Sequence, residues 1–220
     1  MSKQQQAPGE LELVREFVNT VDLERDEERL SSADALAAWL VDHGLAPPAV
    51  HARAADLRRA IELREALRNV LLAHNGGGQA PAAAYETLDD AVCRARVRLR
   101  FREGQDAAAG LESEAAGVDG ALGRILVIVH GAIAQGTWTR LKACRDHSCE
   151  WAFYDHTKNR SGAWCSMRVC GNRAKARAYR ERTHKPTVAD RSGVLAERSA
   201  ADASSAEPSR ASSGVRAPLI

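Results

Sequence analysis

Hydrophobic residues recur at helical spacing through the first two thirds of the chain, and this pattern predicts a mainly helical body. The predicted helices cover residues 10–19, 34–44, 49–74, 82–95 and 120–135. Ser32 or Asp34 is expected to cap the second helix and Asp119 the last, because short polar side chains accept hydrogen bonds from free N–H groups. The solvent-facing side of the third helix is expected to carry its charged residues, which are Arg58, Glu62, Arg64, Glu65 and Arg68.

Before the last of these helices, the spacing of apolar residues changes from the helical period to a period of two residues. Residues 97–102 alternate apolar and basic side chains, which is the pattern of a strand with one solvated face. Residues 109–115 are expected to return as its partner. The predicted fold class is therefore α+β and mainly α, a helical N-terminal domain with a small β-hairpin.

Composition marks the two ends of the chain as different from this body. Residues 1–9 contain no apolar core and predict a flexible N-terminus that is not a signal peptide. Residues 186–220 are mostly Ser, Ala, Arg and Pro, which predicts a disordered tail. No apolar run approaches the roughly 20 residues that span a membrane. We therefore expect a cytoplasmic protein with no membrane partner, with its body at residues 10–137 and a cysteine-rich module at 138–185.

Charge is distributed unevenly along the chain. Residues 140–185 carry twelve Lys or Arg and four acidic residues, so this segment has a net charge of +8 while the whole chain has only +2. A mildly acidic body joined to a basic end is typical of nucleic-acid-binding proteins, although a solvated charged surface is the plainer alternative.

Four of the five cysteines lie within 27 residues, in the pattern Cys144-x4-Cys149, fifteen residues, Cys165-x4-Cys170. Two Cys pairs separated by a short loop suit a tetrahedral, structural zinc site, and a reducing compartment disfavours disulfides. The x4 gap is wider than the common x2 spacing. His147 or His156 could replace one thiolate. Cys93 is expected to be a small buried residue of a helix.

Trp151, Phe153 and Trp164 are expected to pack around the metal as a small core. Asp155 is expected to organise this module through a hydrogen bond or an Arg pair. A basic helix follows the last Cys, and its residues could neutralise phosphates with release of counterions. The candidate nucleic-acid-binding residues are Lys158, Arg160, Arg168, Asn172, Arg173, Lys175, Arg177 and Arg180.

Two sets of motifs resemble known families. The stretches Trp151-x-Phe153-x-Asp155-x-x-Lys158-Asn159 and Trp164-Cys165-Ser166-Met167-x-x-Cys170-Gly171-Asn172-Arg173-x-Lys175 resemble the CGNR zinc finger over residues 138–182. Phe17-Val18-Asn19-Thr20 and Trp39-Leu40 resemble the ABATE domain that usually precedes it. Gly162-Ala163 stands where many members have basic residues, which lowers the charge of that loop.

The resemblance implies that the four Cys bind one zinc ion and that the finger binds DNA behind an α-rich domain. Members are bacterial and are regarded as stress-induced transcription regulators. We therefore expect a DNA-binding regulator whose N-terminal domain senses a small-molecule effector or forms a homodimer. An RNA- or protein-interaction module with a purely structural zinc is the alternative. An enzyme is not expected, because no catalytic motif is present and four thiolates leave no open metal position. Asn19 and Thr20 are expected to make capping and core hydrogen bonds.

Overall fold

The computed structural model describes residues 6–76, 78–102 and 108–183. The predicted disordered tail and residues 1–5 of the predicted flexible N-terminus lie outside these ranges. At the described part of the N-terminus, Ala7 is buried and its N–H donates a hydrogen bond to Glu12 Oε2 at 2.7 Å. Residues 6–9 thus pack against the first helix.

Five helices build the frame of residues 11–134. They are α1 (Leu11–Val18), α2 (Ala33–Asp42), α3 (Ala54–His74), α4 (Ala82–Ala95) and α5 (Gly117–Ala134). Ser32 caps α2, since its Oγ accepts a hydrogen bond from Ala35 N at 3.1 Å. The predicted class, α+β and mainly α, is confirmed.

Two predicted helix starts were wrong. Helix α3 begins at Ala54 and not at residue 49, because the carboxylate of Asp56 accepts a hydrogen bond from Arg53 N–H at 2.7 Å and fixes the start there. Helix α5 begins at Gly117, so Asp119 lies inside its first turn and does not cap it. The Asp119 carboxylate instead pairs with Arg59 of α3 at 3.1 Å.

Three short antiparallel strand pairs complete the fold. Strands β1 (Val21–Asp22) and β2 (Glu27–Glu28) form a tight hairpin after α1. Strands β3 (Val97–Arg102) and β4 (Ala108–Ser113) form the predicted hairpin, with Leu99 opposite Leu111. Strands β5 (Leu141–Ala143) and β6 (Ala152–Tyr154) follow a short 3₁₀ turn at Trp138–Arg140.

One hydrophobic core joins the helices to the β5–β6 hairpin. Phe17, Leu67 and Ile125 from the helices are fully buried. Leu141 and Ala152 of the hairpin belong to the same cluster and are equally buried. The described residues up to Ala174 accordingly form one compact unit, and those from Lys175 to Thr183 belong to a second.

Helix α5 is the most apolar helix of the described chain. By length and composition it could cross a membrane, but half of it is buried inside the fold. Core helices pass the same test, and α5 supplies Val118, Leu122 and Ile125 to the core.

Candidate metal centre

The β5–β6 hairpin positions the first pair of cysteines. Cys144 directly follows β5, and its N–H donates a hydrogen bond to Trp151 O at 3.0 Å. Between the two Cys, the buried Asp146 organises the loop. Its Oδ1 accepts a hydrogen bond from Ser148 Oγ at 2.9 Å, and its carbonyl accepts one from Cys149 N at 2.8 Å. The x4 gap therefore provides room for an internal aspartate.

The second pair belongs to the approach to the last helix, α6 (Asn172–Thr183). Cys165 precedes a π-helical turn at Met167–Gly171 that contains Cys170. A Cβ atom at Gly171 would lie 2.9 Å from Met167 Sδ and 3.4 Å from Trp164 Cδ1. A larger residue at 171 would have to displace the end of the Met167 side chain.

The four sulfur atoms converge at one point. The Sγ atoms of Cys144, Cys149, Cys165 and Cys170 all lie within 4.8 Å of one another. Cys149 and Cys165 are 3.6 Å apart, and Cys165 and Cys170 are 3.7 Å apart. Tetrahedral zinc with Zn–S bonds of about 2.3 Å requires sulfur separations of about 3.8 Å. The five Cys of the chain, all described, form no disulfide. The donor set and spacing fit zinc.

The thiols of this cluster also influence one another's protonation. Hydrogen bonds from Cys149 and Cys165 lower the pKa of the Cys144 thiol to about 2. The hydrogen bond with Cys144 raises the pKa of Cys149 to about 12, and bonds with Cys144 and Cys149 raise the pKa of Cys165. Thiolates packed this closely repel one another, so all four can be ionised only around a positive ion.

The Arg173 side chain contacts the cysteine cluster from its outer side. Its Nη2 donates to Cys170 Sγ at 3.1 Å, and its Nε lies 3.0 Å from the Asp146 carboxylate. Its Nη1 pairs with Glu24, which follows β1, at 2.9 Å. The arginine thus connects a cysteine ligand, the first cysteine loop and the N-terminal part of the chain.

Three polar side chains of the helices hold the hairpin in place. The Asn19 side chain accepts from Ala152 N–H at 2.7 Å and donates to Ala152 O at 2.9 Å, as a neighbouring strand would. Arg68 donates to Glu150 O at 3.0 Å. Asn75 donates to Ala143 O at 2.7 Å. The expected core hydrogen bonding of Asn19 is present, but its partner lies in the cysteine-rich segment.

Asp155 is the centre of a second buried network. Its carboxylate pairs with Lys142 Nζ at 2.7 Å and accepts hydrogen bonds from Thr157 Oγ1 at 2.7 Å and Gly162 N–H at 2.8 Å. Burial alone would raise the pKa of Asp155, but these partners, with Lys142 the strongest, lower it to about 2. The hydrogen bonds expected of Asp155 are therefore present, and its charged partner is a lysine rather than an arginine.

The same network explains the absence of a basic side chain at position 162. A Cβ atom at Gly162 would lie 2.8 Å from Oδ1 of Asp155. A larger residue would displace the carboxylate from its hydrogen bonds. Gly162 thus fits the network, and its presence says nothing about contact with nucleic acid.

Two family models match consecutive segments of the chain. Residues 11–139 match ABATE, described as "Putative stress-induced transcription regulator". The chain belongs to the ABATE family. Residues 140–183 match the CGNR zinc finger, so the four Cys of the sulfur cluster lie inside a recognised zinc-finger segment. None of the curated proteins compared with the chain matches it significantly.

The CGNR finger of this ABATE protein holds one structural zinc ion. The two histidines considered as ligands lie elsewhere. His147 is exposed and contacts Glu150 at 3.3 Å, while His156 contacts Gln6 O at 2.8 Å. Trp151 and Trp164 pack against the cysteines as expected, but Phe153 is not in that cluster. Cys93 is exposed and not buried, because α4 directs its alanine face toward the core.

The structure places the candidate nucleic-acid-binding residues in three groups. Lys158, Arg160 and Arg168 are exposed on the compact unit. Lys175, Arg177 and Arg180 are exposed on the part of α6 after Ala174. The remaining two lie at the start of α6, where Asn172 donates to Arg168 O at 3.0 Å and Arg173 serves the zinc site.

Sequence reasoning missed the buried polar residues that join the helices to the finger. Arg64 and Arg68 were expected on the solvent side of α3 and are instead 3% and 2% exposed. Their spacing of four residues, which places both on one helical face, was the available signal.

Proposed function

We propose that this protein is a zinc-dependent DNA-binding transcription regulator. The observation that carries the proposal is the group of exposed basic residues on α6. Lys175, Arg180 and Arg182 are exposed and form no salt bridge with any described residue. No residue of α6 is buried, so packing does not explain its sequence.

A helix with this composition suits the phosphate backbone of nucleic acid. Each phosphate neutralised by Lys or Arg releases condensed counterions, which supplies affinity without sequence preference. The zinc site fixes the start of this helix through Cys170 and Arg173. Zinc here supplies folding free energy, since a small segment with few buried apolar side chains cannot fold strongly alone.

Lys158, Arg160 and Arg168 supply a second set of candidate contacts. Lys158 and Arg168 form no ion pair with any described residue, and the Arg160 guanidinium donates to Thr139 Oγ1 at 3.4 Å. The finger surface therefore offers free cations outside α6 as well. We propose that Arg173 acts as a positioning residue, because its guanidinium already serves three partners.

The test is zinc analysis of the purified protein, followed by titration with mixed-sequence duplex DNA at several salt concentrations. The double variant Lys175→Ala with Arg180→Ala keeps α6 helical, because Ala is the strongest helix former. We expect it to bind more weakly and to reduce the slope of log K against log salt by about 2, about one unit per lost phosphate contact.

The control is Arg29→Ala with Arg58→Ala, two exposed arginines of the N-terminal segment that change net charge equally. Its slope should match the wild type. Equal slopes for all three proteins, or wild-type protein with zinc but without DNA affinity, would refute the proposal.

An RNA- or protein-interaction module is the second candidate, and one observation favours it. Met167 and Val169 are 56% and 48% exposed on either side of Arg168. Exposed apolar side chains beside a cation are typical of protein contacts and of base stacking. If single-stranded RNA competes for the protein better than duplex DNA does, the RNA-interaction function becomes the preferred one.

We further propose that residues 10–137 act as an effector or dimerisation domain for the finger at 138–185, in a cytoplasmic protein without enzymatic activity. The proposal is supported by the matched families, which are a regulator family and a zinc finger family. The partner of that domain would be a second copy of the chain or a small-molecule effector.

A further inference from the structure

The outward side of α5 faces an apolar cleft. The cleft has a volume of about 770 Å³ and lies between α5 and the β3–β4 hairpin. Leu99 and Leu111 line it from the hairpin, and Val127, Ile128 and Gly131 line it from α5. Leu99 is 55% exposed. A helix that is apolar on both sides is normally covered on both sides, so this side calls for a partner.

The glycines of α5 identify where that partner approaches. A Cβ atom at Gly120 would overlap Ala115 O, and one at Gly123 would overlap Ala95 Cβ. Packing inside the chain thus requires both glycines. A Cβ atom at Gly131 would meet nothing within 4 Å. A glycine inside a helix costs about 1 kcal/mol relative to alanine, and no contact with the described residues accounts for it.

The β3–β4 hairpin also carries an aromatic side chain that is largely exposed. Phe101 is 80% exposed and does not line the cleft. Alternation along β3 places it on the same face as Leu99, which does line the cleft. An aromatic side chain therefore projects beyond the end of an apolar cleft on the same surface of the molecule.

We propose that this surface is the interface of a two-fold symmetric homodimer, in which Phe101 of each copy enters the other's cleft beside Gly131. A two-fold interface uses the same patch on both copies, so it requires a projection and a matching recess on one surface. Phe101 and the cleft at Gly131 are such a pair.

The charges of this region favour a second copy over a charged partner. Arg98 and Arg100 of β3 lie on its other face, where both pair with Glu114. The ionisable side chains that line the cleft are one acid, Glu10, and one histidine, His130. Two copies can therefore meet here without an excess of like charge.

The experiment measures mass by analytical ultracentrifugation over a dilution series of the full, zinc-loaded chain. The wild type should move from 23.8 kDa toward twice that mass as concentration rises. Phe101→Glu removes the projection, and Gly131→Leu fills the recess. Each should weaken dimerisation at least about tenfold, as interface anchors do.

Two further samples separate this interface from general stickiness. Tyr85→Glu changes a 50% exposed aromatic residue of α4 outside the cleft and should dimerise like the wild type. A mixture of Phe101→Glu and Gly131→Leu retains one intact projection and one intact recess. It should form heterodimers more tightly than either variant forms homodimers.

Three results would overturn the inference: a wild type that stays monomeric at every concentration, equal weakening by Tyr85→Glu, or a mixture with no heterodimer. A monomeric wild type that floats with phosphatidylcholine–phosphatidylglycerol vesicles, when Phe101→Glu does not, would assign the cleft to a membrane instead. The dimer would be the form in which the proposed regulator acts, so its role rests on the proposed function. The dimer and the DNA-binding function can nevertheless fail separately. A dimer without DNA affinity refutes the regulator, whereas a monomer that binds DNA refutes the dimer.

Discussion

Replacing Asn19 by alanine tests how the helices and the zinc finger are joined. Its side chain makes two hydrogen bonds to the backbone of Ala152, at 2.7 and 2.9 Å. Asn19 is 4% exposed and Ala152 is fully buried. The variant would therefore leave one N–H and one C=O of β6 without a partner and without water.

The expected loss of stability follows from the number of groups left unpaired. A buried polar group without its partner costs about 1–3 kcal/mol, so two cost about 2–6 kcal/mol. A loss of about 3 kcal/mol lowers Tm by about 6–12 °C in a chain of this length. Zinc should also leave faster, since β6 continues from Trp151, whose carbonyl accepts the hydrogen bond of Cys144 N–H.

Urea denaturation with saturating zinc, followed by tryptophan fluorescence, measures the first effect, and transfer of zinc to a chromogenic chelator measures the second. Asn69→Ala is the matched control, because Asn69 makes a single hydrogen bond within α3, to Glu65 O at 3.0 Å. Asn69→Ala should lower the free energy of unfolding by less than about 1 kcal/mol. If both variants unfold at the same urea concentration and release zinc at the same rate, Asn19 does not hold the finger.

Three further predictions follow from the site and the core. Arg173→Lys keeps the charge but not the three contacts, so zinc affinity measured by chelator competition should fall about 10–100-fold with unchanged circular dichroism. Asp155→Asn leaves Lys142 buried without a counter-charge and should cost about 3–5 kcal/mol at pH 7 in urea denaturation. Because the folded pKa of Asp155 is lowered to about 2, the stability that its carboxylate contributes is present above its unfolded pKa and is lost as pH falls toward 2. The stability deficit of Asp155→Asn should therefore narrow as pH falls from about 4 to about 2. A deficit that does not change with pH would contradict this prediction. Gly131→Ala should raise the Tm of the monomer by about 2–4 °C, whereas Gly123→Ala should lower it because its Cβ would overlap a core alanine, and calorimetry at low concentration distinguishes the two.

Local sequence signals were sufficient for the elements with regular periods. The apolar residues of α1 and the alternation in β3 predicted those elements, because burial of one face is a local requirement. The four Cys were recognisable because zinc requires soft ligands in pairs, a demand that shows in spacing.

Interactions between distant segments were not predictable in the same way. Arg64 and Arg68 are buried because their partners, Thr20, Glu28 and Glu150 O among them, come from up to 82 residues away. A hydrophobicity pattern assigns an arginine to the surface unless those partners are known. Asp119 was expected to cap α5 for the same reason, since its partner Arg59 lies in another helix.

The shared core has a consequence for how these two families can be separated. The boundary between the matched segments falls between residues 139 and 140, directly before β5. A chain cut there would expose the apolar side chains of Leu141, Ala143 and Tyr154, which the helices now cover. It would also leave an open patch on α1 and α3 in the other fragment. A finger of this kind could not be transplanted as an independent cassette, and evolution would be expected to inherit the two segments together.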